Sequence, residues 1–250
     1  MHRTSAVRNE TERKSIGDMA MEYGTSLYTD NDVYRVLRFG NRQDWLKGRL
    51  TGIGGSDASA AMNLNRWKNA RDLWAIKTGR EKSPDISDSP YVQYGVAMEP
   101  LIRESFAIDY ADQYEVQYME DVTLQNIEHP WMLYSPDGLI IEKATGRCGI
   151  FEAKTHAIRS SDDWDAWRDR IGYDEYFIQV LHGLAVTHFE FVDLRVELKR
   201  SNAYKQIRTY HIDLTDDGIT DQISYIEQTI SDFWNNYVLT DTEPHAVYQL

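Results

Sequence analysis

The sequence predicts an α/β protein: a mixed central β-sheet with helices on its faces. Three observations carry that expectation. Short apolar runs of strand type, Leu139-Ile140-Ile141 and Ile150-Phe151, sit mid-chain around a polar turn, Lys143-Ala144-Thr145-Gly146. Helical periodicity brackets them, with Tyr176, Phe177, Val180, Leu181 and Leu184 recurring at three- and four-residue steps. The order of elements, helices then strands, helix, strands and a closing helix, is that of a sheet covered on its faces.

Taken in order, residues 1–40 read as an N-terminal arm with little periodicity, and residues 41–250 as a single domain. Residues 43–49 form a short helix bearing Trp45 and Leu46. Gly52-Ile53-Gly54-Gly55 is a loop, after which Ser56 or Asp57 caps a helix to about residue 64. Asn69 caps a helix that closes at Gly79, and a longer helix spans 93–110. Glu99 falls near its start, where a glutamate is ordinarily a favourable charge at the positive end of the helix. Residues 115–119 and 122–125 alternate as strands. An insertion at 160–172 carries Trp164, Trp167, Arg168 and Arg170 among four aspartates. A helix over 173–186 precedes strands at 189–198 and 205–212. The final helix, 219–238, has Ile223, Ile226, Ile230, Phe233 and Trp234 on one stripe.

Bulk properties exclude several classes. The 250 residues contain no apolar run long enough to span a bilayer and no secretory-type leader, so a cytoplasmic location is the expectation. One cysteine, Cys148, leaves no internal disulfide and no four-thiolate metal site. The net charge of −13 is unevenly spread. Residues 40–82 hold nine basic and four acidic side chains, +5, leaving −18 for the remainder. This basic segment suits a groove that grips phosphates, or else a solvated helix face.

The chemistry concentrates at Asp137 and, fifteen residues on, at Glu152-Ala153-Lys154. Strand alternation turns Glu152 and Lys154 to one side and Ala153 to the other. Two carboxylates and an ammonium that converge can hold a hard divalent cation and activate a water beside it. Each piece alone is commonplace: an Asp-Gly turn, and a salt-bridged pair on a strand.

Five stretches, in order, change that weighting: Trp45 to Leu50 through Gly54-Gly55-Ser56; Tyr94-Gly95-Val96-Ala97-Met98-Glu99; Ser135-Pro136-Asp137-Gly138-Leu139; Phe151-Glu152-Ala153-Lys154; and Tyr176-Phe177-Ile178-Gln179-Val180. Together they resemble the phage-type exonuclease family of lambda exonuclease and the YqaJ-type viral recombinase domain, PD-(D/E)xK nucleases of restriction-endonuclease-like fold. The resemblance covers roughly residues 40–200. It implies Mg²⁺ or Mn²⁺ held by Asp137, Glu152 and the backbone carbonyl of Ala153, with Glu99 as a further carboxylate. It also implies a water-orienting Lys154 assisted by Gln179, and a 5′-phosphate site at Arg49 and Ser56. Its substrate would be the ends of double-stranded DNA, cut 5′ to 3′ to leave a 3′ overhang for a single-strand annealing protein, by a trimeric ring. The family often has Gln-x-Gln where this helix has Gln179 and Leu181.

Some residues stay open between roles. Trp164, Trp167 and Arg168 suit either a DNA contact or packing of the insertion, and His156 either a phosphate contact or a structural place. Two competing readings are another nuclease on the same scaffold and a non-catalytic DNA- or recombinase-binding scaffold. A CRISPR-associated nuclease would ordinarily bring a cysteine cluster, and this chain has one cysteine.

Overall fold

The structure is a computed structural model that describes residues 26–202 and 204–245. Its elements run β1 (Tyr34–Arg38), α1 (Arg42–Gly48), a 3-10 turn (Arg49–Thr51), α2 (Gly55–Ala61), α3 (Ala70–Lys77), α4 (Pro90–Asp109), β2 (Tyr114–Gln117), β3 (Val122–Asn126), β4 (Leu133–Tyr134), β5 (Gly138–Glu142), β6 (Cys148–Ala157), α5 (Ser161–Ala166), α6 (Asp174–Thr187), β7 (Phe191–Lys199), β8 (Lys205–Asp213) and α7 (Ile219–Phe233), which ends in a π-helical turn (Trp234–Val238).

Among the described residues the main sheet has five strands in the order β2-β5-β6-β7-β8. The expected hairpin is present, with Leu139 opposite Ile150 across antiparallel β5 and β6. β6 and β7 are parallel, with Glu152 opposite Leu194. Parallel neighbours need a crossover, and α6 supplies it. Helices occupy both faces. On one, Ile102 and Phe106 of α4 pack on Ile140, Phe151, Ala153 and Phe191. On the other, α6 joins α2, α3 and α7 in the larger core through Ile178, Leu181, Ala58, Leu73 and Ile226. The strand β6 alternates between these layers, so Ala153 faces α4. None of the helices in the described residues is long and apolar enough to cross a membrane.

Four local differences from the sequence expectation have physical causes. Within 1–40, residues Tyr34–Arg38 are a strand rather than part of an arm: β1 pairs antiparallel with β3 and buries Tyr34 and Val36. Residues 1–25 lie outside the described residues. The neighbouring strands β2 and β3 enter different sheets, because the chain reverses at Asp121 (φ 51°) and β3 joins β1 and β4. The cap of α2 is Gly54, two or three residues earlier than expected. Asp57 then occupies the first turn, where its carboxylate accepts from the Gly54 N–H at 3.5 Å. Finally, α4 begins at Pro90, so Glu99 lies in mid-helix and the helix-end explanation for it lapses.

Phe106 is fully buried and its ring lies 4.7 Å from Phe151 and 4.6 Å from Tyr110. Phe106→Ala should therefore cost about 3–5 kcal/mol, the range for emptying a buried aromatic site. Urea denaturation would measure it, and a loss below about 1 kcal/mol would mean that α4 does not depend on this contact.

Candidate active site

Glu152 organises the site. It is 1% exposed on β6, where an unpaired charge would be costly. Three donors meet it. Tyr134 of β4 donates its hydroxyl to Oε2 at 2.6 Å, while Lys154 and Gln179 both reach Oε1. Lys154 lies two residues along the strand and Gln179 comes from α6, so three elements must be in place before this carboxylate is satisfied.

Asp137 sits just before β5, half-buried, and its Oδ2 accepts from the Ala153 N–H at 2.9 Å. Burial first, and the neighbouring charge of Glu152 second, push its carboxyl well above the ordinary 3.8, despite Lys154. Burial disfavours the Lys154 ammonium, but attraction to Glu152 and then Asp137 outweighs it, and the pKa lies above 10.5. In the protein alone Lys154 is thus held protonated by its two carboxylate neighbours. Burial, followed by the charge of Glu152, also raises Tyr134 well above 10, so its hydroxyl stays a donor.

Glu99 and an arginine that the sequence reading passed over complete this wall. Arg103 lies one helical turn from Glu99 and approaches it at 3.4 Å. It donates to the Asp137 backbone carbonyl at 2.9 Å and lies 3.4 Å from the Tyr118 ring centroid. The signal that could have revealed it was the four-residue spacing of Glu99 and Arg103 on a helix.

Arg49 and Ser56 open onto the same cleft of about 620 Å³, which Glu99, Arg103, Asp137, Glu152, Lys154 and Gln179 also line. Arg49 donates to the Ser56 hydroxyl at 2.6 Å and stacks on Trp45, whose other cationic neighbour is Arg42. The Trp45 indole donates to Ser135 at 3.2 Å, tying this loop to the segment that carries Asp137. Arg42 also lines the cleft and was missed individually, although it stands in the basic segment.

Most of that segment is not free for phosphate. Asp57 is buried between Lys68 and Lys77, the latter at 2.8 Å, and their charges, aided by Arg49, overcome burial and hold its carboxyl far below the usual range. Lys77 also donates to the Arg49 backbone carbonyl at 2.7 Å. Arg66 pairs with Glu175, Arg71 with Glu81 and Glu243, and Arg80 with Asp241. The basic segment is thus largely a structural scaffold behind Arg49.

The remaining candidates lie outside the residues lining the cleft. Trp167 is fully buried among His156, Tyr176 and Tyr210, at centroid distances of 5.4, 5.7 and 5.8 Å, and it cannot meet DNA there. Trp164 carries the Arg208 guanidinium at 4.7 Å, and exposed Arg168 pairs with Asp165. His156 is held neutral by burial, down to about 4, within the Trp167 cluster. His182 bonds the Leu133 and Ile53 carbonyls through Nε2, a structural place.

The donor set suits a hard cation. Two carboxylates face one ammonium where burial already drives Asp137 toward protonation, so the site is short of positive charge. Among the described residues no three His, Cys, Asp or Glu side chains form a metal cluster. A cation here would therefore complete its shell with backbone, water or substrate oxygens, as magnesium does.

Fold and site together define the class: the architecture is restriction-endonuclease-like, with the acid-x-lysine strand at the centre of a mixed sheet. It superimposes on an alkaline exonuclease from Laribacter hongkongensis, LHK-Exo, with a TM-score of 0.60 at 17% identity, covering 80% of this chain and 93% of that one. The same score is found with the complex of LHK-Exo and dAMP, at 18% identity and the same coverage. Within that class, the chain belongs to the YqaJ-like viral recombinase domain family, which matches residues 44–190. It is 28% identical over 207 residues to the uncharacterised protein YqaJ of Bacillus subtilis (strain 168), over 82% of this chain. The match spans 59% of that relative's length.

An acid whose folded-state pKa is raised keeps its proton after the unfolded chain has released it. Stability therefore falls as pH climbs from 3.8 through the higher folded value. Asp137→Asn should remove that penalty. With chelator present, its Tm should exceed wild type by a few degrees, about 2–4 °C for a chain of this size. The gap should widen as pH rises above 4 in scanning calorimetry, and a lower Tm at neutral pH would contradict the crowding of carboxylates.

Proposed function

We propose that the protein is a divalent-metal-dependent exonuclease that degrades one strand of linear double-stranded DNA from 5′ to 3′, leaving a 3′ overhang. The observation that carries this reading is the single cleft in which Asp137, Glu152, Lys154 and Gln179 meet the Arg49–Ser56 pair. A cutting centre that shares its cleft with a polar pair able to bind a phosphate is what an enzyme that measures from a DNA end requires. Membership of a viral recombinase domain family supports the reading, as does the likeness in fold to an alkaline exonuclease whose structure was also determined with dAMP.

The ion, Mg²⁺ or Mn²⁺, would be held by Asp137, Glu152 and the Ala153 carbonyl, with Glu99 nearby, and would supply charge for the phosphorane and for an attacking hydroxide. The chain's own residues do the rest. A cation there would weaken the pull of the two carboxylates that keeps Lys154 protonated, and so would favour its handling of the attacking water. Gln179 orients Glu152 through its amide. Arg49, preset by Trp45 and by the Lys77 bond to its carbonyl, binds the terminal 5′-phosphate with Ser56. Arg103 fixes the Asp137 loop through its backbone carbonyl.

The resemblance extends the proposal to assembly as a trimeric ring and to a single-strand annealing partner. A 3′ overhang is the substrate that such a partner takes.

Purified protein with Mg²⁺ should consume linear duplexes, leave closed circles intact and stop on adding chelator. Loss of label from the 5′ end before the 3′ end would report the polarity. Glu152→Ala should lower kcat by about 10²–10³-fold or more, the scale of removing one main electrostatic group. Degradation of circles, or wild-type rates in Glu152→Ala, would overturn the reading. Arg49→Ala should reduce the preference for 5′-phosphate over 5′-hydroxyl ends by about 10–100-fold, the worth of a hydrogen bond to a charged group. An unchanged preference would remove Arg49 from end recognition.

A further inference from the structure

Tyr134 takes no part in the chemistry just described, yet the site is built around it. It is 1% exposed, and its hydroxyl occupies the Glu152 oxygen that Lys154 and Gln179 leave free. A phenylalanine would fill the same slot without the cost of burying a hydroxyl, so the added group is accounted for by its carboxylate partner.

Glycines of two helices also abut one edge of the ring. A Cβ on Gly183 of α6 would stand 2.7 Å from the Tyr134 Cζ, and one on Gly55 of α2 would stand 3.0 Å from its Cε2. Gly55 also abuts Gln179, where a Cβ would lie 3.0 Å from Cγ. The residue immediately before Ser56 thus touches both side chains that reach Glu152 from outside β6. On the other flank Ser135, next to Tyr134, accepts from Trp45, which carries Arg49 at 4.9 Å. Each half of the Arg49–Ser56 pair is therefore joined to the Glu152 donors through one or two close contacts.

From this packing we infer that Tyr134 is a positioning residue that couples the 5′-end pocket to Glu152. A terminal phosphate in the pocket sharpens the placement of the Glu152 carboxylate as well as adding affinity. The inference rests on the nuclease reading above and adds to it a statement about kcat: part of the preference for a 5′-phosphate appears in turnover and is transmitted by Tyr134. Close packing makes the transmission direct, since dense interiors pass on a displacement of a few tenths of an ångström.

The test combines Mn²⁺ binding, followed by calorimetry without DNA, with steady-state kinetics on 5′-phosphorylated and 5′-hydroxyl duplexes. Wild type should show a higher kcat on phosphorylated ends. Tyr134→Phe, checked for folding by circular dichroism and melting, should bind Mn²⁺ about 10–100-fold more weakly, as loss of a partner to a metal-holding group does. Its kcat should fall by a similar factor with little change in KM, and its kcat ratio between the two ends should approach one. Gly55→Ala keeps the hydroxyl but presses a methyl onto both donors, and should move Mn²⁺ affinity and the kcat ratio in the same direction.

Wild-type Mn²⁺ affinity and kcat ratio in folded Tyr134→Phe would overturn the inference. A wild-type preference confined to KM would overturn it equally. If wild type neither binds Mn²⁺ nor degrades linear DNA, the nuclease reading itself fails, a result distinct from either of these.

Discussion

A buried carboxylate must be satisfied by the fold, and the satisfaction of Glu152 is the constraint on which the site depends. Its three donors come from β4, from β6 itself and from α6. The parallel β6–β7 pairing requires a crossover, and α6 brings Gln179 across the same strand that carries Glu152. β4 belongs to the smaller sheet, so the contact of Tyr134 also locks the two sheets together. Gly55 and Gly183 are small where α2 and α6 close on the Tyr134 ring. One carboxylate thereby reports on the assembly of most of the domain.

The same crowding has a cost. Asp137 and Glu152 share one ammonium in a partly dry cleft, and the first is driven toward protonation. Arg103 does not neutralise the pair, since it contacts Glu99 and the backbone of Asp137. A cation bound between such crowded carboxylates would relieve their repulsion and so would stabilise the fold by mass action. Asp57 is the counterexample in the same domain. It is more deeply buried than Asp137, but two lysines hold it ionised, and it serves to support the loop of Arg49.

Charge counted along the chain and charge arranged in space differ for a definite reason. Residues 40–82 look like a phosphate-gripping stripe, but the fold brings Asp57, Glu175, Asp241 and Glu243 against Lys68, Lys77, Arg66, Arg71 and Arg80. Three of those four acids lie outside the segment, at separations of 109 to 172 residues for the hydrogen bonds concerned, beyond any local pattern. The insertion at 160–172 shows the same limit. Its tryptophans suit either a DNA contact or packing in the sequence, and only the fold settles Trp167, which packs among His156, Tyr176 and Tyr210. The N-terminal strand went unread because β1 is only five residues long and draws its pairing from β3, some ninety residues away.

By itself, the sequence determined the strands and helices with strong period, the hairpin of β5 and β6, and the fold class they build. It also determined the shared orientation of Glu152 and Lys154, because strand alternation is a local property. Tertiary structure alone decided that Tyr134 would cap Glu152, that Arg103 would brace the Asp137 loop, and which members of the basic segment remain in the cleft. It also decided the protonation balance of Asp137 and Lys154, since a pKa depends on distance and burial rather than on spacing in the chain. Local periodicity is written residue by residue, whereas the partner of a buried charge is chosen by whichever distant element the core brings beside it.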